Sequence, residues 1–177
     1  MRKSCVLLLA AGLSLGACMK APNPAGLGGE TAAPPAPPEI AWTAPAGWTE
    51  AAIDQSFYLA KWEVAGGGVA SLSWLGTGGG PEFIINNVQR WIAEWQTPEG
   101  TAVVDSTFQT LSLGGRKAHR LELGGTLTGT RQLGGGDPRA DWRLFGAVIE
   151  SEAGPLFLKF IGPSAVIERD REACWRA

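Results

Sequence analysis

Few side chains in this sequence are placed to do chemistry, and the sharpest of them is Lys159. It alternates with Phe157 and Ile161 inside an apolar run, Leu156 to Ile161, of the kind that fills a central strand. A buried ammonium is costly unless paired. Lys159 is therefore expected to meet a Glu or Asp from a neighbouring strand, to snorkel its stem to a sheet edge, or to contact a ligand. Arg90 precedes Trp91 on a predicted helix, where its guanidinium can pair with a carboxylate or lie over an indole. Gly78, Gly79 and Gly80 close the run Gly76-Thr77-Gly78-Gly79-Gly80 between a strand and that helix. Backbone N–H groups at such a junction can cradle an anion; the alternative is a flexible turn. The run matches no P-loop, and no parallel β-α-β pattern surrounds it.

His119 is the only histidine. On strand parity it shares a face with Leu121 and Leu123, so a satisfied, partly buried residue is expected, with a catalytic base as the alternative. One histidine without a cysteine cluster cannot assemble the usual transition-metal sites, and no cofactor is implied. No G-x-S-x-G or H-E-x-x-H occurs. Glu150 and Glu152 fall on one face near an exposed strand end and read as solvated carboxylates; acid–base work on a sugar is the alternative. No catalytic residue is assigned. Of the eight tryptophans, Trp42, Trp48 and Trp175 are least committed to a core, and together they can line a groove or partner surface.

The elements that must position these groups follow from pattern. Trp42 to Trp48 reads as a short strand followed by a turn at Pro45 and Gly47. Phe57 to Val64 and Val69 to Leu75 form a hairpin around Gly66-Gly67-Gly68. Pro81 opens a helix to about Gln96, with Ile84, Val88, Trp91 and Trp95 on one buried face. Val103 to Leu113 and Lys117 to Leu127 flank the turn dipeptide Gly114-Gly115, and Gly134 to Pro138 is a long loop. Trp142 to Ile149 and Leu156 to Ile161 are central strands. A short last helix carries Val166, Ile167, Ala173 and Cys174 inward. The order β-β-β-α, four strands, α predicts an α+β fold with a largely antiparallel sheet.

The N-terminus predicts an address. Arg2 and Lys3 precede an apolar stretch from Val6 to Ala17, which as a helix would reach about 18 Å, short of the ~20 residues that span a bilayer. A signal peptide over residues 1–17 is the expectation. Leu15-Gly16-Ala17-Cys18 resembles a bacterial lipobox, which implies lipid on Cys18 and cleavage before it. Met19 after Cys18 favours the outer membrane by analogy with enterobacterial sorting. Residues 18–39 are a Pro/Ala-rich tether that can hold a domain up to ~60 Å from its anchor. The single globular domain is 40–177. Without Arg2 and Lys3, 13 basic face 17 acidic side chains, and no basic run exceeds Arg116-Lys117, so nucleic acid is not an expected partner. Cys174, the one cysteine after Cys18, is expected as a small buried residue, with an intermolecular disulfide as the alternative.

Three segments carry a family resemblance. Trp42-Thr43-Ala44-Pro45-Ala46-Gly47-Trp48 is similar to a W-x-x-P-x-G-W opening. Asn87-Val88-Gln89-Arg90-Trp91 resembles an N-V-x-R-W helix, and Phe157 to Pro163 an F-x-K-x-x-G-P strand end. Together they resemble uncharacterised bacterial lipoproteins with a PsbP-like domain, over nearly all of Ile40 to Ala177. That resemblance implies an antiparallel sheet between helices and an assembly, binding or accessory role without a shared catalytic set. The expected function is a non-enzymatic envelope lipoprotein that binds another envelope protein. A small-molecule or anion binding lipoprotein, through Arg90, Trp91, Lys159 or the Gly78–Gly80 helix start, is the alternative, and an uncharacterised hydrolase ranks third.

Overall fold

The computed structural model describes residues 35–176 other than 41, 79, 102, 104–106, 130–132 and 134. The leader, Cys18, most of the tether and Gly79 lie outside the described residues. Residues 34–177 form one compact unit. Its elements are β1 (Trp48–Glu50), β2 (Tyr58–Val64), β3 (Gly68–Trp74), α1 (Pro81–Ile92), β4 (Trp95–Gln96), β5 (Thr107–Leu113), β6 (Arg116–Leu127), β7 (Arg139–Ile149), β8 (Leu156–Pro163) and α2 (Ser164–Arg176). One sheet runs β1-β2-β3-β8-β7-β6-β4, with β5 also on β6, and its pairings are antiparallel. The fold is α+β, as the pattern of elements predicts.

The sheet has an apolar layer on each side because its central strands carry large residues at both parities. On one face Trp48, Trp62, Phe145, Leu158 and Phe160 pack with Val166, Ile167 and Cys174 of α2. On the other, Leu121, Leu123, Leu144, Val148, Phe157 and Ile161 pack with Val88 and Trp91 of α1. The β5–β6 hairpin turns at Gly114 and Gly115, both at positive φ (55° and 77°), the backbone of a type I′ turn. Helix α1 has Pro81 at its start, Glu82 in its first turn and Arg90 in its last, charges that complement the helix dipole.

Several expectations need correction. Helix α1 ends at Ile92 rather than near Gln96, because Trp95 and Gln96 are captured as β4 by Leu127 and Thr126 of β6. Trp95 is 1% exposed, so helical periodicity found a buried residue but assigned it to the wrong element. The first strand follows the Pro45–Gly47 turn instead of preceding it, and β7 begins at Arg139. Helix α2 is not short; it runs 13 residues to 12 for α1, and Ala173 faces outward. Glu150 and Glu152 lie in the β7–β8 loop, beyond the last residue of β7. Trp42, Trp48 and Trp175 do not share an open groove. Trp48 is buried with its ring 4.8 Å from Phe160, while Trp42 and Trp175 stay half-buried along a crevice of about 20 Å³ with Ile40 and Cys174. Cys174 is buried as expected, and burial pushes its thiol up to about 12.

Candidate functional site

Strand register decides which groups meet. Across the α1-facing side, one row runs Tyr58, Ser73, Phe157, Val148, His119, Thr110. The next runs Lys61, Ser71, Lys159, Gly146, Leu121, Phe108. The first row is apolar at its centre and polar towards both ends, whereas the second carries Lys61, Ser71 and Lys159 at one end and Gly146, Leu121 and Phe108 at the other. Trp91 closes the middle of the second row by lying on Gly146; a Cβ there would be 2.8 Å from the ring. Two clefts flank α1 as a result, one beside its last turns and one beside its first.

The first cleft, of about 430 Å³, brings Arg90, Trp91 and Lys159 together. Tyr58, Ser71, Ser73, Leu75, Glu94, Phe57 and Phe157 complete its walls. Lys159 is 7% exposed, and its Nζ donates to Glu94 Oε2 at 2.5 Å and lies 5.8 Å from the Trp91 ring centroid. Pairing is thus realised, but the carboxylate comes from the turn after α1 rather than from a neighbouring strand. Burial holds the ammonium below its ordinary value, with Glu94 acting in the opposite direction. Arg90 neither meets a carboxylate nor lies over an indole; it donates to Asn87 Oδ1 at 2.9 Å. Asn87 in turn donates to the Phe83 carbonyl at 2.8 Å. One of the five N–H donors of the guanidinium is used in this way, and the others remain available to the cleft. Ser71, 3% exposed, and the Tyr58 hydroxyl make no hydrogen bond to another described residue. Burial raises the Tyr58 phenol above its usual range.

Glu94 is held by backbone as well as by charge. Its carbonyl accepts from Thr128 N at 2.8 Å and Thr128 Oγ1 at 2.9 Å, and its own N–H donates to the Trp91 carbonyl at 3.2 Å. The β4–β6 pairing therefore sets the carboxylate against Lys159. Tyr58, Ser71, Ser73 and Glu94 are members of the site that sequence reasoning missed. The alternation Val69-Ser71-Ser73 on one strand face was the available signal, since two hydroxyls there interrupt an otherwise apolar parity.

The second cleft, of about 520 Å³, is bordered by Gly80, Pro81, Ile84, Ile85, Phe108, Lys117, His119, Glu150 and Glu152. His119 is buried as expected. Its Nε2 is 2.7 Å from Glu150 Oε1, its Nδ1 is 3.1 Å from Thr110 Oγ1, and its ring stacks on Phe108 at 5.3 Å. A hydroxyl, an imidazole and a carboxylate in series can activate a nucleophile. Thr110, however, is not among the residues that line the cleft. Gly80 borders this cleft and Gly78 is exposed ahead of it, so the described glycines at the helix start lie apart from Arg90 and Lys159.

Hydrogen bonds from His119 and then Lys117 (3.0 Å away) hold the Glu150 carboxyl below its ordinary value of 4.5. A depressed folded value means that stability is gained above the unfolded value and lost as pH falls through the folded one. Urea unfolding of Glu150→Gln is expected to show a shallower stability loss than the wild type below about pH 4.5. Superimposable pH profiles would mean that Glu150 contributes nothing to acid sensitivity.

Compared with known proteins, the chain matches no family model and no curated protein.

Proposed function

We propose that this chain is a lipid-anchored protein of the bacterial cell envelope whose PsbP-like domain is a non-enzymatic binding module for a small molecule. The observation that carries the binding step is the convergence of Arg90, Trp91 and Lys159 on one concave cleft with the hydroxyls of Tyr58, Ser71 and Ser73. Apolar walls with a few convergent polar groups are the usual form of a ligand site. Binding is favoured over catalysis because Lys159 is engaged by Glu94, and Thr110, the hydroxyl paired with His119, lines neither cleft. The lipobox-like run ending at Cys18 and the Pro/Ala-rich tether support the envelope location, with the outer membrane favoured over the inner. An antiparallel sheet with α1 on one face and α2 on the other supports the PsbP-like reading.

A second reading, docking to another envelope protein, rests on Phe108 and Ile85. They are 47% and 51% exposed and border the second cleft. A thermal-shift screen of Cys18→Ala protein against a metabolite library separates the two. A ligand at 100 times its Kd raises stability by about 2.7 kcal/mol, and Arg90→Ala should abolish the shift. Hits that survive Arg90→Ala, or a library without hits, would remove the small-molecule reading. The same Cys18→Ala chain should leave the membrane fraction for the soluble periplasm; retention on membranes would count against the anchor.

A further inference from the structure

The polar groups of the first cleft are unbalanced in kind. Arg90, Lys159, Tyr58, Ser71 and Ser73 all bring donors, whereas Glu94 is the one carboxylate among the lining residues and is already taken by Lys159. The Ser73 hydroxyl reaches the Phe157 carbonyl at 3.5 Å, the outer limit of a hydrogen bond. Two cationic side chains against one carboxylate leave a single positive charge in excess. The neighbouring Lys61 on the same register row does not alter that balance, because Asp54 neutralises it at 2.9 Å.

Ser71 is the most telling member. It sits between Lys61 and Lys159 across the strands, is almost wholly buried and lines the cleft, and has no described hydrogen-bond partner. The buried polar atoms left unsatisfied among the described residues are Trp62 Nε1, Trp95 Nε1 and Arg120 Nε, so the Ser71 hydroxyl opens onto the cleft it lines and can donate to an acceptor supplied from outside. Of the remaining walls, Phe57, Tyr58, Trp91 and Phe157 are aromatic and Leu75 is aliphatic, and they suit a flat apolar body better than a chain of hydroxyls.

We propose that the first cleft binds a small molecule with one carboxylate or phosphate on a flat, cyclic apolar body. The anionic group accepts from Arg90, Ser71 and Tyr58, and the ring packs against the aromatic walls. This assignment rests on the binding reading above and narrows it to a ligand class. The Arg90 guanidinium presents a fork suited to carboxylate and phosphate oxygens. The Glu94–Lys159 pair stays intact and holds one side of the cleft in shape. No bond is made or broken.

The test uses Cys18→Ala protein and three probes of one shape: benzoate, phenyl phosphate and the neutral benzamide, each titrated by calorimetry at low and high salt. Benzoate or phenyl phosphate should bind about 10–100-fold more tightly than benzamide, the range expected for hydrogen bonds to a charged group, and that preference should shrink as salt rises. The tighter of the two anions identifies the headgroup. Arg90→Gln on the exposed helix surface, and Ser71→Ala in the floor, should each bring the preferred anion towards the affinity of benzamide while the protein still unfolds cooperatively in the absence of probe. Benzamide binding as tightly as the anions would overturn the ligand class while leaving a binding cleft in place. Failure of all three probes would also overturn it, and Arg90-dependent hits in the metabolite screen would then show the binding reading surviving alone. An unchanged Kd for the anion in Arg90→Gln would place the anion elsewhere.

Discussion

Glu94→Ala is expected to cost about 2–4 kcal/mol of stability, measured by urea unfolding at neutral pH. Breaking a buried ion pair by removing one partner typically costs 3–5 kcal/mol, because the other charge is left buried and uncompensated. The lower figure applies since the Glu94 side chain is 22% exposed while that of Lys159 is nearly covered. The loss should depend on pH with a definite sign. Burial already holds Lys159 below its ordinary value of 10.5, and without Glu94 it falls further. Between that folded value and the unfolded one, the unfolded chain binds more protons, so stability rises with pH. The deficit of Glu94→Ala relative to wild type should therefore shrink as pH approaches 10. Adding Lys159→Met, which removes the buried charge and keeps the apolar stem, should restore most of the loss. A pH-independent deficit, or no rescue by Lys159→Met, would mean that Glu94 acts through its backbone contacts alone.

Much of this architecture was legible from pattern. Alternation, glycine turns and Pro81 located both helices and most of the strands within a few residues. Lys159 was identifiable as an anomaly because a charge interrupted an apolar run. Its partner was not identifiable, since Glu94 lies 65 positions away and is brought near only when β4 leaves the helical path and joins β6. That departure was hidden by a coincidence of periods. Trp95 lies eleven residues after Ile84, on the buried side of a helix, yet a strand of two residues buries it equally well. The same limit applies to the site as a whole. Arg90 and Trp91 were assigned to a helix and Lys159 to a strand, but whether they met depended on sheet order β3-β8-β7, in which β8 inserts beside β3. Nothing in local sequence specifies that insertion. His119 and Glu150 illustrate the point again, having been weighed apart although Val148 pairs with His119 and places Glu150 two residues on.

The dependence of Lys159 on β4 leads to a prediction at a residue that touches neither cleft. Gly125 of β6 has φ +146°, a region that residues with a Cβ rarely enter. A Cβ there would run into the Gln96 carbonyl oxygen and stand 3.3 Å from its carbonyl carbon. Both contacts are backbone, so no side-chain rotation can relieve them. Gly125→Ala should cost roughly 2–4 kcal/mol, combining strain at an unfavourable φ with overpacking. The cheapest relief is to push β4 away from β6. That movement loosens Trp95 and the Thr128 contacts that hold the Glu94 backbone, and Glu94 then no longer reaches Lys159. The two substitutions should consequently be non-additive: Glu94→Ala made in the Gly125→Ala background should cost at least 1 kcal/mol less than in wild type, a coupling above the ~0.5 kcal/mol scatter expected of independent sites. Amide exchange at Trp95 and Gln96 should accelerate in Gly125→Ala before exchange in β7 and β8 does. Additive costs, with β4 amides still protected, would show that the strain is absorbed within β6 and that the Glu94–Lys159 pair does not need β4 to hold it.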